Sequence, residues 1–311
     1  MSVRVESGRA LHVLTGCTAV GKTEWALRWA EANAAEIISC DSLLFYRGMD
    51  IGTAKPSPGD LRRVRHHLID IRDVSEPMNA AVYAAMALEA AEGIRARGHA
   101  VLVVGGSGFY LRSFFATVSD GLDVPPDVRS GVAGRLASEG LPALVADLER
   151  LNPGGLQGID TANPRRVTNA LGRCLASGRT LAELSSEFAR AVPAFQGWDV
   201  RLTQLARAGD DLEARIARRV DVMLGAGLVQ EVRRLMERGL GRNPSAASAI
   251  GYRETIDVLE GRAPEDGLAA AIAKDTRALV KKQRTWFRTQ LPAHSVVEAS
   301  ELQDASRLFL G

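Results

Sequence analysis

Gly16-Cys17-Thr18-Ala19-Val20-Gly21-Lys22-Thr23 fits the spacing G-x-x-x-x-G-K-[ST], and its flanks decide the fold. The mostly apolar run from Leu11 to Leu14 ahead of it reads as a buried strand. Glu24-Trp25-Ala26-Leu27-Arg28-Trp29-Ala30 behind it reads as a helix, which completes the strand, loop and helix context the spacing requires. Backbone amides at the helix start then face an anion, and oriented amides with the helix dipole favour a negative charge there by about 0.3–2 kcal/mol. Lys22 adds a point charge and Thr23 a hydroxyl suited to magnesium.

Working outward, the segments 36–40 and 101–105 are also short and largely apolar, and helical patterns such as Ala80 to Ala96 lie between them. That alternation predicts an α/β fold, a parallel sheet flanked by helices. The character changes near Asp120. Asp123-Val124-Pro125-Pro126-Asp127 is a turn-rich boundary, and helical patterns follow through about Phe188. A strand-like stretch returns at Trp198 to Leu205, and Asp211 to Arg238 and Gly267 to Arg288 read as long amphipathic helices. The expected organisation is a core from 1–119, an all-helical insertion at 120–193, and a return to the core at 194–311.

A chain of 311 residues can bury a substantial core. With 24% charged residues and a net charge of +2, no global excess of positive charge announces nucleic acid, so any such surface comes from local clustering. Arginine carries most of the positive charge. The only lysines are Lys22, Lys55, Lys274, Lys281 and Lys282, and the first two fall in the most motif-like segments. Cys17, Cys40 and Cys174 are odd in number and lack C-x-x-C spacing, which argues against a disulfide framework or a zinc site and for a reducing compartment. No segment near Met1 has a charged head and apolar signal core, and no apolar run approaches the ~18 residues that span a bilayer. The expectation is a soluble, cytoplasmic protein without membrane contact, and a monomer by default.

Glu36-Ile37-Ile38-Ser39-Cys40 delivers Asp41 and Ser42 to the carboxyl end of the second strand, where open α/β sheets bind ligands. Asp41 is there either as a general base beside a bound diphosphate or as a cap for a helix through Ser42-Leu43-Leu44. The run Tyr46 to Pro56 has little periodicity but holds Gly, Thr, Lys and Pro, the makings of an ordered polar loop or a plain surface connection. Val101-Leu102-Val103-Val104 ends in Gly105-Gly106-Ser107-Gly108, not in the acidic residue that would hold magnesium in an NTPase, which counts against ATP hydrolysis. Ser107 either contacts a substrate or sits in a tight turn before a helix from Phe109 to Phe115. Basic residues cluster at Arg62, Arg63 and Arg65, at Arg165 and Arg166, and at Lys274, Arg277, Lys281, Lys282, Arg284 and Arg288. The last cluster is interleaved with Gln283, Trp286 and Phe287. Such a mix can hold a phosphate backbone and stack bases, although the two aromatics are expected in the core. His66 and His67 have no ligand-spaced partner and read as loop or packing residues.

Taken together, GCTAVGKT at 16–23, EIISCDSLLFYRGMDIGTAKP at 36–56, HHLIDI at 66–71, VLVVGGSGFYLRSF at 101–114, NPRRV at 163–167, ASAIGYRE at 247–254 and KKQRTWFR at 281–288 closely resemble the tRNA dimethylallyltransferases. The resemblance implies a P-loop fold and transfer of a dimethylallyl group from its diphosphate to the exocyclic amine of the adenosine 3′ of the anticodon, with Mg2+. Its partners would be dimethylallyl diphosphate and the tRNA anticodon stem-loop. It assigns Gly16, Cys17, Thr18, Ala19, Val20, Gly21, Lys22 and Thr23 to the diphosphate, Thr23 to the metal, and Asp41 to the base, so that Asp41, Lys22 and Thr23 are the catalytic set. It matches Asp41, Ser42, Leu43, Leu44, Ser107, Arg129, Arg165, Arg166, Val167, Thr168 and Asn169 to tRNA contacts, with the insertion clasping the anticodon arm. The target base then has to leave its stack at a cost of a few kcal/mol. Cys17 stands where Pro is usual, Val20 where Ser or Ala is usual, and Ser107 where Thr is common. Cys17 places a thiol near the diphosphate, sensitive to oxidation if the helix start lowers its pKa.

Three rivals share these residues: a small-molecule or nucleotide kinase using the loop for ATP, a prenyltransferase acting on free AMP or ADP, and a tRNA-binding protein without activity. Salt dependence of tRNA binding separates the RNA readings from the others.

Overall fold

The computed structural model describes residues 9–309; residues 1–8 and 310–311, which belong to the expected core segments, lie outside the described residues. Six parallel strands form one sheet: β1 (Ala10–Gly16), β2 (Ala35–Ser39), β3 (His66–His67), β4 (Ala100–Val104), β5 (Asp199–Ala206) and β6 (Ser295–Glu298), in the order β3-β2-β4-β1-β5-β6. Strands covered on both faces need continuous apolar runs. Leu11, Val13 and Leu14 in β1 and Leu102 and Val103 in β4 are accordingly fully buried. Helices Lys22–Ala32 and Ala80–Ala96 make crossovers between parallel strands, from β1 to β2 and from β3 to β4, each skipping one strand of the sheet, and the carboxyl ends of β1, β2 and β4 emerge on one edge of the sheet. This is the α/β sheet flanked by helices that the sequence predicts.

Two strands escape the sequence reading. His66 and His67 form β3, paired to Ile37 and Ile38, and are neither loop nor simple packing residues. A two-residue strand is too short to show a period, and the half-exposed β6 has no buried face to mark it. The expected single helix from Asp211 to Arg238 is two, Gly209–Gly225 and Leu228–Glu237, divided at Gly227. Gly227 has φ 96°, a left-handed conformation that ends one helix and is cheap only for glycine. After the glycine turn the chain makes a short helix, Gly108–Leu111, and a 3-10 turn, Arg112–Phe114, in place of one helix to Phe115.

The chain divides into two compact units, one of residues 9–116 and 194–309 and the other of residues 117–193. The first holds the sheet. Its core includes an aromatic chain in which Tyr83 meets Tyr110 at 4.8 Å and Phe114 meets Phe195 at 4.6 Å between ring centroids. The second is helical: Pro126–Glu139, Leu141–Leu151, Pro164–Ser177 and Leu181–Arg190. Val132, Leu144, Leu148, Val167, Leu171 and Leu184 form its centre. Thr180 and Glu183 cap each other's backbone at the start of the last helix, an arrangement worth about 1 kcal/mol. Among the described residues, no helix is long and apolar enough to cross a membrane.

Candidate active site

β1 ends at Gly16, and residues 17–21 fold back before helix Lys22–Ala32 begins. A side chain at Gly16 would collide with the Leu205 carbonyl at 2.4 Å, so the loop hugs β5 only because that residue is glycine. Ala19 and Gly21 both take positive φ, 64° and 102°. Lys22 opens the helix and curls back, its Nζ donating to the carbonyls of Gly16 at 2.8 Å and Cys17 at 2.7 Å. Among the described residues it forms no ion pair. Burial pushes its pKa down to about 8, only partly opposed by the charge of Asp41.

Arginines from the return half of the chain hold this loop. Arg215 Nε donates to the Ala19 carbonyl at 2.8 Å and Arg207 Nε to the Val20 carbonyl at 3.0 Å. Arg219 reaches Thr18 Oγ1 at 3.3 Å and the Thr53 carbonyl at 3.1 Å. Gln283 spans to the glycine turn: its Oε1 accepts from the Thr18 amide at 3.0 Å and its Nε2 donates to the Gly106 carbonyl at 3.1 Å. The Val20 and Cys17 side chains are buried, so those two residues present backbone only. The Cys17 thiol faces the Val280 carbonyl at 3.9 Å, and burial raises its pKa despite the nearby Lys22 and Arg284. The condition set for a sensitive thiol, a pKa lowered by the helix start, is therefore not met.

Asp41 follows β2 after one residue, Cys40. Its Oδ1 accepts from the Leu43 amide at 3.0 Å, a local turn, and Ser42 to Leu44 form turns and not the helix of the capping alternative. Ser107 Oγ accepts from the Ser42 amide at 3.0 Å and donates to Ser42 Oγ at 3.2 Å, tying the β4 turn to the Asp41 turn. Gly105 permits that approach, since a Cβ there would fall 2.0 Å from the Cys40 carbonyl. The loop from Tyr46 to Pro56 is ordered by Lys55, whose Nζ meets Asp50 at 2.7 Å, the Tyr46 carbonyl at 3.0 Å, and Asp70.

These segments wall one cavity of about 770 Å³, lined by Thr18, Ala19, Gly21, Lys22 and Thr23, by Asp41 to Leu44, by Gly52 to Ala54, and by Gly105 to Ser107. Arg215, Arg218, Arg219 and Gln283 line it too. The sequence reading assigned no role to Arg207, Arg215 or Arg219. The signal was available in one place: Arg215 and Arg219 are four apart, beside the buried Ile216 and Val220, which marks one helix face. Thr23, Glu24 and Asp41 supply hard oxygens in the cavity, a set that fits magnesium, which takes few protein ligands and keeps several waters. In the helical unit Arg129, Arg165, Arg166 and Asn169 are exposed, with Arg129 paired to Asp123 at 2.9 Å, and Thr168 is half-buried. Val167 is 0% exposed in that unit's core, so the expected contact to tRNA cannot be made by its side chain.

The fold and site define an α/β protein of the phosphate-loop class, with a carboxylate and a glycine turn beside the loop where nucleotide hydrolases carry an acidic strand end. A family model described as IPP transferase matches residues 44–290, and the chain belongs to that family. It is thereby a prenyl transferase, an enzyme that modifies tRNA. A tRNA dimethylallyltransferase of Opitutus terrae is 64% identical over 299 residues, 96% of each chain. One from Roseiflexus sp. is 40% identical over 303 residues, 94% of this chain and 95% of the other. Among solved structures, a full-length tRNA isopentenylpyrophosphate transferase from Bacillus halodurans matches with TM-score 0.67 at 31% identity, over 94% of this chain and 90% of that one. A eukaryotic dimethylallyltransferase acting on tRNA has the same fold, with TM-score 0.78 at 23% identity over 96% of this chain and 76% of that one.

Proposed function

We propose that this chain transfers a dimethylallyl group from dimethylallyl diphosphate to the exocyclic N6 amine of the adenosine immediately 3′ of the anticodon in tRNA. The observation that carries the reading is the meeting of the Lys22 loop, the Asp41 carboxylate and the Ser107 turn around one cavity. The diphosphate lies on the loop, with Lys22 and Arg219 supplying cations. The bond from the dimethylallyl C1 to the diphosphate oxygen breaks, and its electron pair leaves with the diphosphate. The N6 lone pair forms the new C1–N6 bond, and the N6 proton passes to the Asp41 carboxylate, whose Oδ1 is already anchored by the Leu43 amide. A positioned base of this kind contributes about 10²–10⁴-fold. Thr23 would hold magnesium, which when bound would supply positive charge to offset that on the leaving group.

The RNA is met by Asp41 to Leu44 and Ser107 at the cavity, and by the exposed Arg129, Arg165, Arg166 and Asn169 of the helical unit. A tRNA substrate supports a cytoplasmic location.

The test is transfer of radiolabelled dimethylallyl from its diphosphate with magnesium to unmodified tRNA and, separately, to AMP, beside γ-labelled ATP. Label in tRNA alone is expected. Label only in AMP, or phosphate transfer from ATP, would replace this reading with one of its rivals.

A further inference from the structure

Glu231 is a charged residue buried to 2% exposure that takes no part in the mechanism above. It stands on the helix Leu228–Glu237, turned inward by the break at Gly227. Its Oε2 accepts from the amides of Asp50 at 3.1 Å and Ile51 at 2.7 Å. Its Oε1 accepts from the Gly52 amide at 3.1 Å and from the Tyr252 hydroxyl at 2.7 Å. An isolated buried carboxyl group is costly, and four donors on its two oxygens satisfy its hydrogen-bonding capacity in an apolar setting. Burial, followed by the Glu231 charge, raises the Tyr252 pKa, so the phenol stays protonated and donating.

The three amides belong to consecutive residues of the loop that continues through Thr53 and Ala54 into the cavity wall. Gly52 is keyed to the clamp: a Cβ there would lie 2.4 Å from the Tyr252 ring. The next residue, Thr53, offers its carbonyl to Arg219 at 3.1 Å, while the other arm of that guanidinium reaches Thr18 of the phosphate loop at 3.3 Å. Thr53 is thus a rigid second anchor for Arg219, fixed in place by a carboxylate on a different helix.

We infer that Glu231, with Tyr252 as its partner, is a positioning residue for diphosphate binding, acting through the 50–53 backbone to set the Arg219 guanidinium. The inference rests on the reading that Arg219 faces a diphosphate. A role confined to stability would lower the melting temperature of a Glu231 variant and leave its anion affinity alone. A positioning role couples Glu231 to Arg219.

The experiment is calorimetric titration of the full chain with magnesium pyrophosphate, in a double-mutant cycle of Glu231→Gln and Arg219→Ala, at a temperature where all forms are folded by circular dichroism. The expected result is at least tenfold weaker binding for Glu231→Gln alone and less than twofold further loss when it is added to Arg219→Ala. The KM for tRNA should stay within twofold of the wild type. Tyr252→Phe, which keeps the carboxylate and its three amides, replaces Glu231→Gln in the cycle if that chain does not fold, with a threefold loss expected and the same dependence on Arg219. Equal losses with and without Arg219, or no loss, overturn the inference. Wild-type affinity in Arg219→Ala overturns it too, by removing the residue it acts through, and failure of the wild type to bind pyrophosphate sinks the diphosphate reading beneath both.

Discussion

Lys22, at the head of a helix, and Lys55, in a loop, are half-buried lysines at the carboxyl edge of one sheet, and they differ in their counter-charges. Lys55, 5% exposed at its side chain, is met by Asp50 and Asp70 and by the Tyr46 carbonyl. Lys22 has two carbonyls and no ion pair among the described residues. A buried cation that brings its own carboxylates is part of the scaffold. One that lacks them has its charged form disfavoured by burial until an anion arrives, and burial accordingly lowers the Lys22 pKa to about 8. The sign follows for stability: the unfolded value of 10.5 lies above the folded one, so between about 8 and 10.5 the unfolded chain holds more protons and the Lys22 contribution to stability rises with pH. For ligand binding the direction is opposite, since an anion prefers the charged form and its affinity falls as pH rises through about 8.

The strongest way to sharpen the contrast is Asp41→Asn, which removes both the proposed base and the carboxylate whose charge supports protonated Lys22. Transfer to tRNA should fall about 10²–10⁴-fold in single-turnover assays, with the fold retained. Lys55→Met probes the other lysine. It leaves Asp50 and Asp70 without their cation and, discounted for those two half-exposed carboxylates, should cost about 2 kcal/mol in urea unfolding, a loss of stability that Lys22→Met should not share.

Glu36 extends the scaffold side of the comparison to the amino end of β2. Arg97 grips it through two hydrogen bonds, at 2.9 and 2.7 Å, and His67 sits 2.6 Å away. The Arg97 contacts, ahead of His67, hold its pKa down at about 2, against an ordinary 4.5. Because the folded value is depressed, the stabilisation is complete above about 4.5 and is lost as pH falls toward about 2. Glu36→Gln should remove about 2 kcal/mol at pH 7, discounted for the 38% exposed Arg97 side chain, while leaving transfer at 25 °C unchanged. The smallest effect belongs to Cys17. Alkylation of the native enzyme with iodoacetamide should change transfer by less than twofold, because the thiol is buried with a raised pKa.

What the sequence made legible is what depends on neighbours along the chain. The loop at 16–23, the strands that carry it and Asp41, and the helix Ala80–Ala96 all announce themselves in local spacing. What it hid depends on residues far apart. Arg219 reaches Thr18 across 201 positions, Gln283 reaches Thr18 across 265, and Glu231 clamps Gly52 across 179. Each looks like an ordinary polar residue on a helix until the parallel order of the sheet brings its partner near. The burial of Val167 was hidden for a related reason: Arg165, Arg166 and Asn169 on the same helix are exposed, and only the packing of Leu144, Leu148 and Leu171 around it shows which way that one residue faces.

The most direct measurement is the affinity of wild type, Lys22→Met and Lys55→Met for magnesium pyrophosphate at pH 7, each paired with a melting curve. The account predicts at least a hundredfold loss of affinity in Lys22→Met with its melting temperature kept or raised, and affinity within threefold of wild type in Lys55→Met with its melting temperature lowered by several degrees. Pyrophosphate binding that survives in Lys22→Met, or that is lost only in Lys55→Met, would contradict it.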